Sequence, residues 1–460
     1  MISLNHGLWK KHVIILIFSM IILLYLLPTF IQVKFDSQAH VNGISFGLPG
    51  VLSGDEPHYF VVTTSLINDH DFFIENNYDN AFFLGTCDVG ERYRNASSII
   101  NRHVLLFNPE KPFVASLNSH NLYNQSTYSA ELAVLYVKYN TTNFLQINQR
   151  PLGLSLFSAL FLWPLKETCF IEFAAIYLTL LISLLGVLFF YLIARYYITK
   201  YKLEYSSENV TNFALLFTCI FALATPFWHY SKTYFPEPYL VTFLIIAYYF
   251  FFIKKSYGIP GLVLGIGFLM KYPFGMYLPL FGIFLLYKKQ WKQIISFIMG
   301  STIPFMIFFY INWILTRNIF YLPRTSYLSL FDNYIAGIVA SLFDPVLGII
   351  PFAPFLVCAF FGVWILYKKD KETTIQLLVL SIPFFLFWSS LALTIIGTGS
   401  AYSGRYFVPL LWIGVLYCLI WYIHTKNDFL KKVFWILVMV GVLINIQAAF
   451  FYFLFWNNPP

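Results

Sequence analysis

The sequence predicts an all-α polytopic membrane protein with about 11 transmembrane helices and a large exterior first loop that carries interfacial helices. Hydrophobic residues make up 59% of the 460 residues, charged residues make up only 11%, and the mean hydropathy is +0.68. Soluble domains rarely have such a composition. Apolar runs of about 20 residues, which suffice to span a bilayer, recur along the chain. Short Lys and Arg clusters follow alternate runs, so we attribute the formal charge of +8 to cytoplasmic loops and expect no nucleic-acid partner.

The chain divides into three predicted regions. Residues 1–34 form the first transmembrane helix, residues 35–168 form the exterior loop, and residues 169–460 form a multi-span domain. The first region reads "WKKHVIILIFSMIILLYLLPTFIQV", which is longer than the core of about 7–15 residues of a signal peptide and lacks a small-residue cleavage site. We therefore expect an uncleaved span with a cytoplasmic N-terminus.

Two features of the later sequence fix the predicted topology. The segment "RPLGLSLFSALFLWPL", residues 150–165, is too short to cross comfortably, and we interpret it as a re-entrant or interfacial helix. The clusters "ARYYITKYK", "FFIKKSYG", "LYKKQWK", "LYKKDK" and "HTKNDFLKK" then all face the cytoplasm. The first loop and the C-terminus lie on the exterior side. The five cysteines have no CxxC spacing, which supports neither a disulfide framework nor a zinc site.

Isolated ionisable residues collect at the predicted exterior ends of the spans. We place in one exterior layer the following residues: Asp55, Glu56, His58, His229, Lys232, Glu237, Lys271, Arg317, Arg324, Asp344 and Arg405. Such a layer suits chemistry on a lipid with a charged head group, because carboxylates activate a hydroxyl or hold a metal while Lys and Arg bind phosphate. The predicted spans lack charges at mid-depth, which argues against a proton- or sodium-driven carrier.

Several of these residues also have a purely structural interpretation. In "SGDEPHYFVV", Ser53 and Glu56 are spaced as a capping box, so the acidic pair Asp55 and Glu56 would begin a helix, a role compatible with catalysis. A lone residue such as His58 is more often packed or solvated than a ligand. Arg405 is either an interfacial anchor or an anion-binding residue, and Glu237 is either a helix N-terminal charge or part of a site. Lys271 interrupts an otherwise apolar helical hairpin, which favours a functional role.

The ordered patches "GDEPHY", "SLINDHDFFIENNY", "RPLGLSLFSALF", "YFPEPYL", "LFDPVLGIIPFAP" and "GSAYSGRYFVPLL" resemble the GT-C superfamily of integral-membrane glycosyltransferases. The similarity is to the branch that includes protein O-mannosyltransferases and lipid A aminoarabinose transferases, and within it to an uncharacterised bacterial set. The resemblance implies a GT-C-like fold and a polyprenyl-phosphate-linked sugar as donor. The sugar would pass, with inversion, to a hydroxyl of a glycan, lipid or protein acceptor on the exterior face.

The resemblance also implies roles for particular residues. Asp55 would be the general base with Glu56 beside it, and Lys271 and Arg405 would bind the donor phosphate. Some members of the family need a divalent metal and others do not; here Asp55, Glu56 and His58 would hold one. Substrate-binding or secondary roles are implied for the following residues: His58, Tyr59, His229, Lys232, Glu237, Asp344 and Tyr402.

Two other classes of function remain open. One is a carrier or flippase for a lipid-linked saccharide, which would move its substrate without forming a glycosidic bond. The other is a binding or assembly subunit whose exterior loop does no chemistry. For a bacterial host, the predicted location is the inner membrane.

Overall fold

The computed structural model describes residues 2–35, 41–46, 56–73, 104–107, 114–116, 145–148, 151–166, 168, 170–202, 204–320, 334–345, 348–398 and 404–452. Helices dominate this part of the chain, as the sequence predicts. The helices are α1 (Ile2–Phe30), α2 (Glu56–Asn68), α3 (Gly153–Leu162), α4 (Ile171–Tyr201), α5 (Ser207–Leu223), α6 (Phe227–Tyr230), α7 (Glu237–Tyr248), α8 (Gly258–Met270), α9 (Tyr277–Tyr287), α10 (Trp291–Thr316), α11 (Tyr334–Phe343), α12 (Ile349–Phe352), α13 (Val357–Lys369), α14 (Lys371–Thr398), α15 (Leu411–His424) and α16 (Asp428–Phe450). A π-helical turn, Tyr249–Ile253, extends α7, and short 3₁₀ helices occupy Trp163–Leu165, Tyr272–Met276, Pro354–Leu356 and Arg405–Leu410.

Within the described residues, six short strands form two three-stranded sheets that the all-α prediction does not include. They are β1 (Ile31–Phe35), β2 (Val41–Phe46), β3 (Val104–Phe107), β4 (Val114–Ser116), β5 (Leu145–Asn148) and β6 (Phe451–Tyr452). In the first sheet, β1 pairs antiparallel with β2 and parallel with β6, with Val33 opposite Phe451. In the second, β3 lies between β4 and β5, antiparallel to both. The strands are two to six residues long, too short for periodicity to distinguish them from loops.

Five helices of the described residues are long and apolar enough to cross a bilayer, which supports the prediction of a membrane protein. They are Ile171–Tyr201, Trp291–Thr316, Lys371–Leu391, Arg405–His424 and Asp428–Phe450. Shorter apolar helices of 10–17 residues accompany them at Val13–Thr29, Tyr59–Asn68, Gly153–Leu165, Ser207–Leu223, Glu237–Ile253, Gly258–Met270, Tyr272–Tyr287 and Tyr334–Phe343.

Basic residues from distant parts of the sequence meet at one end of the bundle, here called the Asp370 end. Lys200 Nζ lies 2.6 Å from Asp370 Oδ2, and the Tyr201 hydroxyl donates to the same oxygen at 2.7 Å. Lys288 pairs with Glu372 beside them. Burial and the charge of Lys288 lower the pKa of Lys255. Four of the predicted cytoplasmic clusters contribute these residues, so the four clusters lie at the same end of the bundle.

The opposite end of the bundle is here called the Glu237 end, after the first residue of α7. Hydrogen bonds between uncharged groups join α1 to α5 and α6 at this end. The Tyr25 hydroxyl of α1 donates to the Ala222 carbonyl near the end of α5 at 2.9 Å. Trp228 Nε1 in α6 donates to the Leu24 carbonyl at 3.2 Å. The short helix α3 also lies at this end, because a Cβ on Gly153 would stand only 2.2 Å from the Leu269 carbonyl carbon.

Glycines set the close packing of α8 against α10. In "GLVLG", Gly261 and Gly265 stand four residues apart and face the same helix. A Cβ on Gly261 would lie 2.0 Å from the Phe297 carbonyl oxygen, and one on Gly265 would lie 2.8 Å from the Pro304 ring. This backbone contact fixes the position of α8 and therefore of Lys271, which follows its last residue.

Candidate functional site

A buried ion cluster of Glu237, Lys271 and Arg405 lies at the Glu237 end. Glu237 is fully buried, and its Oε1 atom accepts from Lys271 Nζ at 2.7 Å and from Arg405 Nε at 2.8 Å. Removing a carboxylate from water is costly unless charged hydrogen bonds replace the water. The two cations supply those bonds from separate segments, Lys271 from the residue after α8 and Arg405 from the first residue of a 3₁₀ helix.

Local sequence explains how each member of the cluster reaches this point. Glu237 is the first residue of α7 between Pro236 at the N-cap and Pro238, where an acid and a proline both favour a helix start. Lys271 leaves α8 in an extended conformation, φ −157° and ψ 107°, before the 3₁₀ turn that contains the proline of "KYP". Arg405 follows Gly404, whose φ of 46° is in the left-handed region that glycine adopts without strain.

Aromatic rings enclose both cations. Lys271 Nζ lies 4.2 Å from the ring centroid of Tyr406 and 4.9 Å from that of Trp388, and these two rings stack at 4.2 Å. The Cζ atom of Arg405 lies 4.0 Å from the Phe235 ring centroid. Rings in this position stabilise cations and exclude water, so electrostatic interactions within the cluster are stronger than in solvent.

The cluster carries a net charge of +1 and incomplete hydrogen bonding. One carboxylate and two cations give this charge for the three described side chains. The second carboxylate oxygen, Glu237 Oε2, and the indole nitrogen, Trp388 Nε1, are buried without a hydrogen-bond partner among the described residues. Buried polar atoms of native proteins are normally paired. The arrangement therefore suits an anionic ligand that also offers hydrogen-bonding groups.

The helix that follows the predicted catalytic base docks beside this cluster. Glu56 is the first residue of α2, is 4% exposed, and its Oε1 atom accepts from the Tyr234 amide at 2.5 Å. The Tyr234 hydroxyl and Thr63 Oγ1, also in α2, lie 2.8 Å apart. The next residue, Phe235, stacks on Arg405. Two adjacent residues thus connect the start of α2 with the ion cluster.

Glu56 lies in the first turn of α2, where an acid favours the helix start, and Ser53 of the predicted capping box lies outside the described residues. Asp55 and the side chain of His58 lie outside the described residues. Among the described residues, no group of three or more His, Cys, Asp or Glu side chains forms a metal site. Since two of the three predicted ligands are not described, the metal hypothesis stays a prediction.

Two predicted secondary residues, His229 and Lys232, contact the end of α16. His229 Nδ1 lies 2.8 Å from the Ala448 carbonyl oxygen, and Lys232 Nζ donates to the Ala449 carbonyl. Burial and the charge of Lys232 lower the pKa of His229 to about 3, so the ring is neutral. Burial lowers the pKa of Lys232 to about 7, against the opposing effect of the Glu56 carboxylate. These contacts tie α16 to the segment that precedes Glu237.

The remaining predicted residues have varied positions. Tyr59 is buried, and its carbonyl oxygen accepts from Thr63 Oγ1 and Ser155 Oγ. Asp344 follows α11, where its carbonyl oxygen accepts from the Gly348 amide at 2.8 Å. Tyr402 and Arg324 lie outside the described residues.

Sequence reasoning did not single out the aromatic residues of the cluster. Tyr406 directly follows Arg405 in "GRYF", and Phe235 lies in "YFPEPY" beside Glu237, so adjacency was a usable signal for both. Trp388 lies inside an apolar run of α14, where nothing in the local sequence distinguishes it from a lipid-facing residue.

Comparison with known proteins leaves the function to be argued from these residues. No protein-family model, no curated protein and no solved structure matches the chain.

Proposed function

We propose that this protein is a GT-C-like glycosyltransferase that moves a sugar from a polyprenyl-phosphate-linked donor to an acceptor hydroxyl on the exterior face of the membrane. The observation that carries the proposal is the meeting of Lys271 and Arg405 on the buried Glu237. Lys and Arg are side chains that bind phosphate, and the phosphodiester of such a donor has a charge of −1. Two cations held together beside lipid therefore suit the donor phosphate.

The distribution of charge between the two ends supports the proposed topology. Lys and Arg favour the cytoplasmic side, so the Asp370 end would be cytoplasmic and the Glu237 end exterior. We propose about 11 spans, consisting of α1, α4, α5, α7 with its π turn, α8, α9, α10, α12 with α13, α14, α15 and α16. This path places the N-terminus in the cytoplasm. The short helices α2, α3 and α11 would lie at the exterior interface.

The proposed chemistry needs a base and a cationic site for the leaving group. Asp55 would take the proton of the acceptor hydroxyl as its oxygen attacks the anomeric carbon, with inversion. The bond between that carbon and the phosphate oxygen would break, and polyprenyl phosphate would leave with the bonding electrons. Lys271 and Arg405 would stabilise the charge that develops on the phosphate. Glu56 supports this assignment, because it ties the start of α2 to the segment beside Arg405.

Mass spectrometry of envelope glycans and lipids, from cells with and without the gene, tests this proposal. We expect one sugar modification to disappear without the gene and to return with the wild-type gene. Asp55→Asn, Lys271→Gln and Arg405→Gln should not restore it at equal protein abundance. Glu372→Gln, which removes an exposed carboxylate at the opposite end, is the matched control and should restore it.

The other outcomes would each contradict a specific part of the proposal. Unchanged glycans and lipids without the gene would overturn the glycosyltransferase assignment. Full restoration by Asp55→Asn would remove Asp55 as the base. Restoration by all three site variants would favour an assembly subunit.

A further inference from the structure

The presence of an acid inside the proposed phosphate site needs an explanation. Lys271 and Arg405 donate to the same oxygen, Oε1 of Glu237, and the carboxylate is fully buried. A negative charge at this position weakens the attraction of the two cations for any phosphate, because charges a few ångströms apart interact strongly away from water. A site selected only for phosphate affinity would have a neutral residue here.

We propose that Glu237 makes the site prefer the sugar-loaded lipid phosphate to the spent lipid phosphate; this inference rests on the proposed function. The loaded donor is a phosphodiester with a charge of −1. The spent lipid is a phosphate monoester whose second pKa is about 6, so its charge approaches −2 at neutral pH and above. Lys271 and Arg405 attract both lipids, whereas the carboxylate of Glu237 repels the second charge that only the monoester carries.

The unpaired oxygen of Glu237 favours the same ligand. Oε2 is buried and has no hydrogen-bond partner among the described residues. A sugar attached to the phosphate brings hydroxyl donors to this acceptor, and a fully ionised phosphate monoester brings none. A hydroxyl bonded to a carboxylate contributes more than a neutral hydrogen bond. Charge and hydrogen bonding therefore both favour the loaded lipid.

This preference has a consequence for turnover. Transfer of the sugar converts the favoured ligand into a disfavoured one, because the leaving phosphate gains negative charge and loses the hydroxyl groups. The spent lipid then dissociates faster than from a site with a neutral residue in place of Glu237. Glu237 thus acts as the residue that discriminates substrate from product.

Binding of two synthetic lipids to the purified full-length protein in nanodiscs tests the inference at pH 8. One probe is undecaprenyl phosphate, and the other is undecaprenyl methyl phosphate, a diester with a charge of −1. We expect Glu237→Gln, which raises the charge of the cluster to +2, to increase the affinity for undecaprenyl phosphate relative to the methyl diester by about tenfold. Glu237→Asp and the opposite-end control Glu372→Gln should keep the wild-type ratio. An unchanged ratio in Glu237→Gln would overturn the inference.

A second comparison avoids a variant in which both buried cations lose the carboxylate of Glu237. Arg405→Gln and Glu237→Gln/Arg405→Gln differ only at Glu237, and the double variant has the wild-type net charge of +1. The same shift of about tenfold toward undecaprenyl phosphate is expected between them, and equal ratios would again refute the role of Glu237. If the wild type binds neither lipid, or if Lys271→Gln and Arg405→Gln bind both as the wild type does, the phosphate site itself is wrong. If Lys271→Gln and Arg405→Gln weaken binding but replacement of Glu237 does not change the ratio of the two affinities, only the inference about Glu237 fails.

Discussion

Replacement of Lys271 by methionine should cost far more stability than the same replacement at Lys288. Both lysines pair with a glutamate, but the side chains of Lys271 and Glu237 are 14% and 0% exposed, whereas those of Lys288 and Glu372 are 40% and 63% exposed. The two substitutions remove the same atoms, so their difference reports the environment of the pair.

The expected cost at Lys271 follows from its contacts. A hydrogen bond to a charged group contributes about 1.5–3 kcal/mol, and a cation over an aromatic ring about 0.5–2 kcal/mol. Lys271→Met loses both kinds of contact, although Arg405 still neutralises Glu237, so we expect a loss of about 3 kcal/mol. An exposed pair contributes about 0–1 kcal/mol, which sets the expectation for Lys288→Met.

The free energy of unfolding of each purified variant, measured by titration with SDS in mixed micelles, provides the assay. Equal losses in Lys271→Met and Lys288→Met would show that Glu237 does not depend on Lys271. The assignment of Lys271 and Glu237 to one buried ion cluster at the proposed phosphate site would then be wrong.

Three further predictions concern the packing and topology of the protein. Burial acts to raise the pKa of Asp370, but Lys200, the Thr373 amide and the Tyr201 hydroxyl outweigh burial and hold this pKa well below its usual range. The ionised Asp370 therefore stabilises the folded protein above the unfolded-state pKa of about 3.9. This stabilisation is lost as the pH falls below that value. Asp370→Asn should therefore lower the melting temperature at pH 7 and flatten its dependence on pH below 4, and a slope equal to that of the wild type would count against this pairing. Gly153→Ala should cost about 1–3 kcal/mol of unfolding free energy and reduce activity by displacing α3 from Leu269. The control Gly282→Ala adds a methyl group that meets nothing within 4 Å, so it should be neutral or stabilising. Similar losses in the two variants would contradict the close packing of α3 against Leu269. In a cysteine-free background, Asn318→Cys should react with an impermeant maleimide added to intact cells and Lys289→Cys should not, and the reverse pattern would invert the proposed topology.

The sequence predicts the helical membrane class because composition and the position of basic residues act over the whole chain. It also places Lys271 and Arg405 in one exterior layer, since isolated charges at the ends of apolar helices avoid lipid and share one interface. That the two residues meet on one carboxylate comes from the structure. The sequence leaves two interpretations open for Glu237, the residue that joins them: a charge at a helix N-terminus or a residue of the site. Only the structure, by placing both cations on Oε1, shows that Glu237 is fully buried and pairs with both of them.

Other features depend on contacts between residues far apart in sequence. Trp388 stacks on Tyr406, and no local pattern in α14 predicts which of its aromatic residues faces the bundle. The sheet that joins β1 to β6 connects residue 33 with residue 451, a pairing that short strands do not encode locally. The proposed base, Asp55, lies outside the described residues, so its role stays a prediction.

Sugar transfer in right-side-out membrane vesicles tests the central claim most directly. Vesicles containing the wild type or Asp55→Asn would be incubated with radiolabelled polyprenyl-phosphate sugars extracted from the host, and products would be identified by mass spectrometry. The wild type should move label from the lipid into a new glycosidic bond. Asp55→Asn, at equal abundance and with undecaprenyl phosphate binding retained, should not. Passage of labelled lipid across the bilayer without a new glycosidic bond would instead identify a carrier and contradict the assignment.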